Sequence, residues 1–213
     1  MHHNNRITIL SAAFATQILR AKQSSIPKRK AVLRKIFEGY VDASLLPMML
    51  DWMVTESCPG VSRIIAGNLG AFGSSSVLPI LELLASSQFN IVNLRPMLLK
   101  SLSVLHKEAL PIIQQALQDK CTSRQLGAIT AVVEIFPRNV RLVLPLLRHA
   151  HWHVRLESVK ALGLSSDLSD VAPLLDVMRQ DRHGDVRLAA CVAIQAINRN
   201  VGRSLQGVTK MCS

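Results

Sequence analysis

The chain has 213 residues, of which 49% are hydrophobic and only 4% aromatic, and its formal net charge is +11. This length can bury a sizeable core, and aliphatic side chains must fill it, which is typical of packed helices. No run of 18 uninterrupted apolar residues occurs, which argues against a membrane-spanning helix.

The four cysteines do not have the spacing of a metal site or a redox dithiol. Gaps of 63, 70 and 21 residues separate Cys58, Cys121, Cys191 and Cys212. We therefore expect reduced thiols and a cytoplasmic protein, without a metal ion or cofactor.

An amphipathic helix is predicted within residues 1–25. Apolar residues spaced 3, 4, 4 and 3 apart place one stripe on it: Ile7, Leu10, Phe14, Ile18 and Ala21. A secretory signal is the weaker alternative, because the apolar stretch from Ile7 to Phe14 is short and interrupted by polar residues. We expect this helix to cap the repeats that follow it.

Positive charge is concentrated near the N-terminus. Residues 1–40 contain eight lysines and arginines and one acid. The densest run contains no acid and comprises Arg20, Lys22, Lys28, Arg29, Lys30, Arg34 and Lys35. These side chains are candidates for binding an acidic protein, a nucleic acid or an anionic membrane surface, although the exposed side of any soluble helix also tolerates such charge.

Two residue series recur with nearly the same period. Prolines within apolar runs are spaced 32, 32, 34 and 28 residues apart: Pro47, Pro79, Pro111, Pro145 and Pro173. Arginines are spaced 32, 29, 31 and 32 apart: Arg63, Arg95, Arg124, Arg155 and Arg187. Together they predict a repeat of two helices, the first with the arginine near its start and the second with the proline in its first turn.

The expected repeats span 26–57, 58–88, 89–119, 120–148, 149–180 and 181–200, and a basic tail occupies 201–213. Ser44, Ser76 and Asp170 stand three residues before a proline and are expected to cap the second helices. Pro145 lacks such a residue, which predicts a late start or a kink there.

The alignment of the second helices separates buried from exposed positions. An apolar column is expected in the core, and it comprises Met49, Leu81, Ile113, Leu147 and Leu175. A polar column is expected in solvent, and it comprises Glu82, Gln114, Arg148 and Asp176. Trp52 falls in another apolar column and is also assigned to the core.

The remaining motifs favour structural roles. We expect the repeat arginines to bond turn carbonyls or an acid of an adjacent repeat, and consider a phosphate-binding stripe the alternative. His149, His151 and His153 could ligate zinc, but alternate residues share one side only on a strand, and this segment is predicted as a turn. Glycines 67, 70 and 73 follow no strand and precede no Gly-Lys-Ser/Thr, so they indicate close helix packing and a helix end.

Two segments carry a family resemblance. His153-Val154-Arg155-Leu156 with Ala161-Leu162-Gly163, and Asp185-Val186-Arg187-Leu188-Ala189-Ala190 with Ala193-Ile194, resemble HEAT-like repeats of the type named after bilin lyases. The resemblance is clearest over 149–197 and extends with lower similarity to residue 26. It implies an all-α solenoid of about six stacked HEAT-like helix pairs with an N-terminal capping helix.

The leading functional prediction is a non-catalytic scaffold or adaptor that binds another protein, an acidic one on the charge argument. No close Ser/His/Asp, Cys/His or paired-carboxylate set suggests an enzyme, and no small-molecule substrate is evident. The first alternative is a nucleic-acid-binding protein similar to the HEAT-like DNA glycosylases, which the sequence pI of 10.2 favours. The second is a bilin-lyase-like chromophore-handling protein, implied by the repeat type alone. Peripheral membrane association through the first helix is a variant of the scaffold prediction.

Overall fold

A computed structural model describes residues 15–39 and 41–211, with the side chains of all these except 89 and 203–211. Ile7, Leu10, Phe14 and Cys212 of the predictions lie outside the described residues. Every regular element within them is helical, which confirms the all-α fold class. The chain forms two compact units, 1–113 and 114–213.

The first unit is built from short helices arranged in pairs. α1 is described over 15–22, and its Ile18 and Ala21 are buried. The later helices are α2 (Ile26–Glu38), α3 (Leu46–Thr55), α4 (Pro59–Asn68), α5 (Val77–Leu84), α6 (Phe89–Val92) and α7 (Arg95–Val104), with 3₁₀ segments at Ala43–Leu45 and Leu69–Ser76. The boundary between the units falls within α8 (His106–Leu117). The first helices of successive pairs, α2, α4 and α7, contact one another in order, while α3 packs against α4 and α5 against α7.

The second unit repeats the pattern. It contains α9 (Thr122–Ile135), a 3₁₀ segment at Pro137–Arg148, α10 (Trp152–Leu162), a 3₁₀ turn at Leu168–Asp170, α11 (Val171–Gln180) and α12 (Gly184–Met211). Again the first helices α9, α10 and α12 contact in order, and α11 packs against α12. α12 continues through residues 201–211, for which the sequence predicts a basic tail.

The predicted core column is largely buried. Met49, Leu81 and Ile113 have no exposed surface, Leu147 is 6% exposed and Leu175 is half-buried. All four members of the polar column are exposed, and Trp52 is buried as predicted. In α11 the fully buried residue is Leu174, one position before the predicted Leu175.

The serines and the aspartate that were predicted as helix caps do not bond the amides of α3, α5 or α11 through their side chains. Ser76 and Asp170 do stand at the N-caps of α5 and α11, but neither side chain bonds the helix amides. Ser76 Oγ instead donates to the Gly73 carbonyl at 2.8 Å. Ser44 lies inside a 3₁₀ turn, where its amide donates to the Asp42 carboxylate at 2.7 Å. The first amide of each of these helices donates back into the preceding 3₁₀ turn, from Leu46 to Ala43, from Val77 to Ser74 and from Val171 to Leu168.

The prolines occupy two kinds of position. Pro47 lies in the first turn of α3, as predicted. Pro111 lies inside α8, so the first-turn prediction is wrong there. The turn before it is hydrogen-bonded, because the Glu108 and Ala109 amides donate to the Leu105 carbonyl at 2.9 and 2.7 Å, and Leu105 and Ala109 are buried. Pro145 falls within the 3₁₀ segment Pro137–Arg148, in agreement with the irregularity expected there.

Glycine allows one close helix contact in the first unit. A Cβ atom on Gly70 would lie 2.6 Å from the Ser101 carbonyl oxygen of α7. Beside it, Ser101 Oγ donates to the Ala66 carbonyl at 2.8 Å in a buried contact. Gly73 has φ 62°, which L side chains rarely adopt, and it ends this segment before α5.

Among the described residues, the segment Pro59–Leu84 is long and apolar enough to cross a membrane by length and composition, and half of its most apolar window is buried. The positive φ at Gly73 breaks this segment, so it is not one continuous helix. Val61, Ile65, Leu81 and Leu84 lie in the core. Its hydrophobicity is therefore accounted for by packing within the first unit.

Candidate interaction surfaces

Two cations of the basic run bind acids of the following helix pair. Lys22 Nζ lies 2.6 Å from an Asp51 carboxylate oxygen in an exposed pair. Arg29 Nη1 donates to both Glu56 oxygens, at 2.7 and 2.9 Å. These contacts tie α1 to α3 and α2 to the end of α3, so both residues have a structural role.

Glu56 anchors the Arg29 contact from a buried position. Its side chain is 1% exposed, and it also accepts hydrogen bonds from the Trp52 indole at 2.9 Å and the Cys58 amide at 2.8 Å. Burial would raise the pKa of Glu56, but the hydrogen bonds from Cys58, Trp52 and Arg29 outweigh it and hold the pKa below its ordinary value. The carboxylate is therefore charged and fully engaged.

Three other cations of the run are exposed on α2. Lys28 and Lys35 are seven residues apart, about two helical turns, and Arg34 adjoins Lys35. We call these three residues the α2 cationic face. Each is exposed, and none has an acidic partner among the described residues. Arg20 on α1 is likewise exposed, while Lys30 is half-buried beside Gly60.

The repeat arginines have different surroundings. Arg95 donates to the Leu84 carbonyl at 3.0 Å, and Arg187 donates to the Asp181 carbonyl at 2.8 Å. Arg124 pairs with Asp119 at 3.0 Å, across the turn that precedes its own helix. Arg63 is exposed on α4. Where bonds of the repeat arginines are described, the partners are turn carbonyls and the aspartates Asp119 and Asp181.

Arg155 makes the most extensive set of contacts. Its Nε and Nη2 donate to the two Asp181 oxygens at 2.6 and 2.8 Å, and Nη1 donates to the carbonyls of His149 and Ala150 at 2.8 and 3.0 Å. The Arg155 side chain is 9% exposed and that of Asp181 5%. The hydrogen bond from Arg155 lowers the pKa of Asp181, although burial acts in the opposite direction. This pair joins the turn before α10 to the turn before α12.

Another set of ion pairs, in which only Asp170 is buried, is not predicted by the repeat pattern. Arg141 Nη1 lies 2.5 Å from Asp167, and its Nε lies 3.1 Å from Asp170, which has no exposed surface. Asp170 also accepts a 2.6 Å hydrogen bond from Ser165 Oγ. The sequence assigns Asp170 to helix capping, and the structure shows that it instead holds the turn before α11.

The histidine turn forms ring stacks. His149 and His151 stack with ring centroids 5.8 Å apart, and Trp152 stacks on His153 at 5.3 Å. A closer partner of Trp152 is His183, at 4.1 Å with an interplanar angle of 3°. His183 opens the next repeat and was not part of the predicted cluster. Within the described part of the chain, no group of three His, Cys, Asp or Glu side chains has a metal-binding arrangement.

The comparisons with known proteins identify the repeat class. Residues 111–195 match the family model for HEAT repeats, which confirms the HEAT-like repeats predicted from the sequence. This part of the chain is therefore a HEAT-repeat array. Among curated proteins, none matches the sequence significantly.

Two solved structures are similar to the chain at low identity. An engineered protein is 15% identical, with 86% of this chain and 96% of that chain covered and a TM-score of 0.39. The complex of CpcE and CpcF of phycocyanin lyase from Nostoc sp. PCC7120 is also 15% identical, with 86% and 98% covered and a TM-score of 0.35. Scores this low carry no argument about substrate or partner.

Proposed function

We propose that this protein is a non-catalytic HEAT-repeat scaffold of the cytoplasm that binds an acidic protein partner through the α2 cationic face. HEAT repeats present extended helical surfaces suited to macromolecular binding. The observation that carries the proposal is the uncompensated charge of Lys28, Arg34 and Lys35, which are exposed while neighbouring Lys22 and Arg29 have acidic partners. Exposed cations without intramolecular partners keep their full attraction for an external anion.

A charge-reversal pull-down tests the proposal. The full chain, immobilised in native lysate, is expected to retain a protein that the triple variant Lys28→Glu, Arg34→Glu and Lys35→Glu loses. The matched control, Lys107→Glu, Lys120→Glu and Arg138→Glu, changes the net charge equally at other exposed positions. Equal loss in both variants would show nonspecific charge attraction, and no retained protein would contradict the scaffold role.

Nucleic acid is the second candidate, because the same face and the sequence pI of 10.2 also favour phosphate binding. Binding of poly-L-glutamate and of a single-stranded oligonucleotide of equal charge, each measured at several salt concentrations, distinguishes an acidic protein from a nucleic acid as the partner. The acidic-protein proposal expects tighter binding of polyglutamate. Tighter oligonucleotide binding, lost in the α2 triple variant and steeply weakened by salt, would assign nucleic acid instead. Vesicles containing phosphatidylserine provide the membrane comparison.

A further inference from the structure

An apolar groove of about 550 Å³ lies between α10 and α12 in the second unit. Its floor consists of small residues at the point where the helices approach most closely: Gly163, Ala189, Ala193 and Ala196. A Cβ atom on Gly163 would lie 3.1 Å from both the Cα and Cβ atoms of Ala193. The absence of a side chain there gives the groove its depth.

The walls of this groove are large exposed apolar side chains. Trp152 is 42% exposed, Leu164 56%, Leu188 66% and Val192 52%, and Leu156 lies between the first two along α10. These four are among only ten large apolar side chains exposed in the part of the chain whose side chains are described. A cluster of this kind marks a surface that another apolar group covers.

The two helices run in the same direction along the groove. Trp152 at the start of α10 stacks on His183 just before α12, and Gly163 at the end of α10 meets Ala193, more than two turns into α12. The lining of the groove runs along α10 from Trp152 to Lys160, about 12 Å at 1.5 Å per residue, and continues through Gly163 and Leu164 just after the helix. A groove of this length can hold a helix of about three turns.

The charges beside the groove have opposite signs at its two ends. Asp185 lies in the first turn of α12, with its side chain 71% exposed. Lys160 lies in the last turn of α10, with its side chain 55% exposed, and its pairing with Glu157 at 2.8 Å is a surface contact of small energy. An incoming helix therefore meets a negative charge at one end and a positive charge at the other.

We propose that this groove binds an amphipathic helix of a partner protein, antiparallel to α10 and α12. Its aliphatic stripe lies between Trp152, Leu188 and Val192. An acid near its N-terminus faces Lys160, and a base near its C-terminus faces Asp185. This orientation also places each charge of the incoming helix at the end where its own macrodipole favours it. The surface is distinct from the α2 cationic face and recognises its partner by different chemistry.

Fluorescence anisotropy with a labelled synthetic peptide tests the proposal on the full chain. The peptide is about 14 residues long, with leucines at the i, i+3, i+4 and i+7 positions, a glutamate one turn before them and a lysine one turn after. A peptide of the same composition with its leucines scattered around the helix is the first comparison. The striped peptide is expected to bind at least about tenfold more tightly.

Two double variants show where the peptide binds. Leu188→Gln with Val192→Gln is expected to weaken the striped peptide at least about tenfold, because the aliphatic wall is lost. The matched control, Leu19→Gln with Val104→Gln, makes the same changes at exposed positions away from the groove and is expected to bind normally. Unchanged thermal unfolding of both doubles separates lost binding from lost folding. Equal effects of the two doubles, or no preference for the striped peptide, would overturn the proposal.

A charge exchange tests the orientation. Lys160→Glu with Asp185→Lys is expected to reverse the preference between the original peptide and one with its glutamate and lysine exchanged. Unreversed preference would overturn the antiparallel assignment. Light scattering measures whether the protein forms a dimer. If the wild type is a dimer and Leu188→Gln with Val192→Gln is a monomer, a second copy of this chain covers the groove. That result would contradict binding of a helix from another protein.

Discussion

The Arg155 guanidinium bonds two successive turns of the second unit at once. Four of its contacts reach Asp181 and the carbonyls of His149 and Ala150, and both charged side chains are nearly removed from solvent. A buried guanidinium is tolerated only when its donors are matched by acceptors, and here the acceptors belong to consecutive repeats. The side chain therefore fixes the register between α10 and α12.

Replacement of Arg155 by alanine is expected to lower the free energy of unfolding by about 3–5 kcal/mol, because Asp181 is left charged and buried without its partner. Lys160→Ala, which removes only the exposed pair with Glu157, is expected to cost less than about 1 kcal/mol. Urea denaturation followed by circular dichroism measures both. Equal, small losses would show that the Arg155 pair adds no more than a surface contact.

At the scale of elements, two glycines that follow the ends of α4 and α10 lie close to the first helix of the next repeat. Gly70 faces the backbone of α7, and Gly163 faces α12 at Ala193. Neither contact has room for an added Cβ without some displacement. The two glycines thus set the spacing between first helices in the two units.

Gly70→Ala is expected to destabilise the protein by about 1–3 kcal/mol, because the new Cβ would lie 2.6 Å from the Ser101 carbonyl oxygen and one helix must shift. Gly202→Ala provides the matched control on α12. No atom lies within 4 Å of its Cβ position, and alanine favours a helix by about 0.5–1 kcal/mol over glycine. Thermal unfolding should therefore show shifts of opposite sign, and a stabilised Gly70→Ala variant would refute the contact.

The same elements show what sequence periodicity can predict. The alignment of the proline-bearing helices predicted a largely buried column, because equivalent residues of each repeat meet equivalent neighbours. The Arg141–Asp170 pair and the Trp152–His183 stack join positions that are not equivalent between repeats, so no period reveals them. Pro111 was misplaced because buried neighbours extend α8 beyond the start that proline favours.

The candidate surfaces were predictable to a different degree. The sequence identified the basic run. The structure was needed to show that Lys22 and Arg29 have acidic partners and that the residues of the α2 cationic face have none among the described residues. The α10–α12 groove was not predicted. Its lining residues have the spacing of an ordinary apolar helix face. From that spacing alone, Leu188 and Val192 cannot be distinguished from core residues, and the structure shows that both are exposed.

For the molecule as a whole, acid should weaken both units. The pKa values of Glu56 in the first unit and Asp181 in the second lie below their ordinary values of 4.5 and 3.8. As pH falls through those values, these carboxylates become protonated in the unfolded chain while they remain ionised in the folded chain. Stability therefore decreases with falling pH and is greatest above this range.

Urea midpoints measured from neutral pH down through this range are expected to fall steadily. Asp181→Asn removes one of the contributing carboxylates, so its midpoint should start lower and depend less on pH. Hydrogen exchange can then follow each unit separately, and Asp181→Asn should alter the second unit more than the first. A midpoint independent of pH, or an unchanged slope in the variant, would contradict this account.

The Arg155–Asp181 pair also constrains how such a chain can change in length. The arginines of the last two repeats are 32 residues apart, and each depends on the turn around Asp181 for acceptors. An insertion or deletion between them that is not a whole repeat would displace the carboxylate from the guanidinium. The length of this part of the chain can therefore change at little cost in stability only when a complete repeat is inserted or removed, with its ends at equivalent positions of neighbouring repeats.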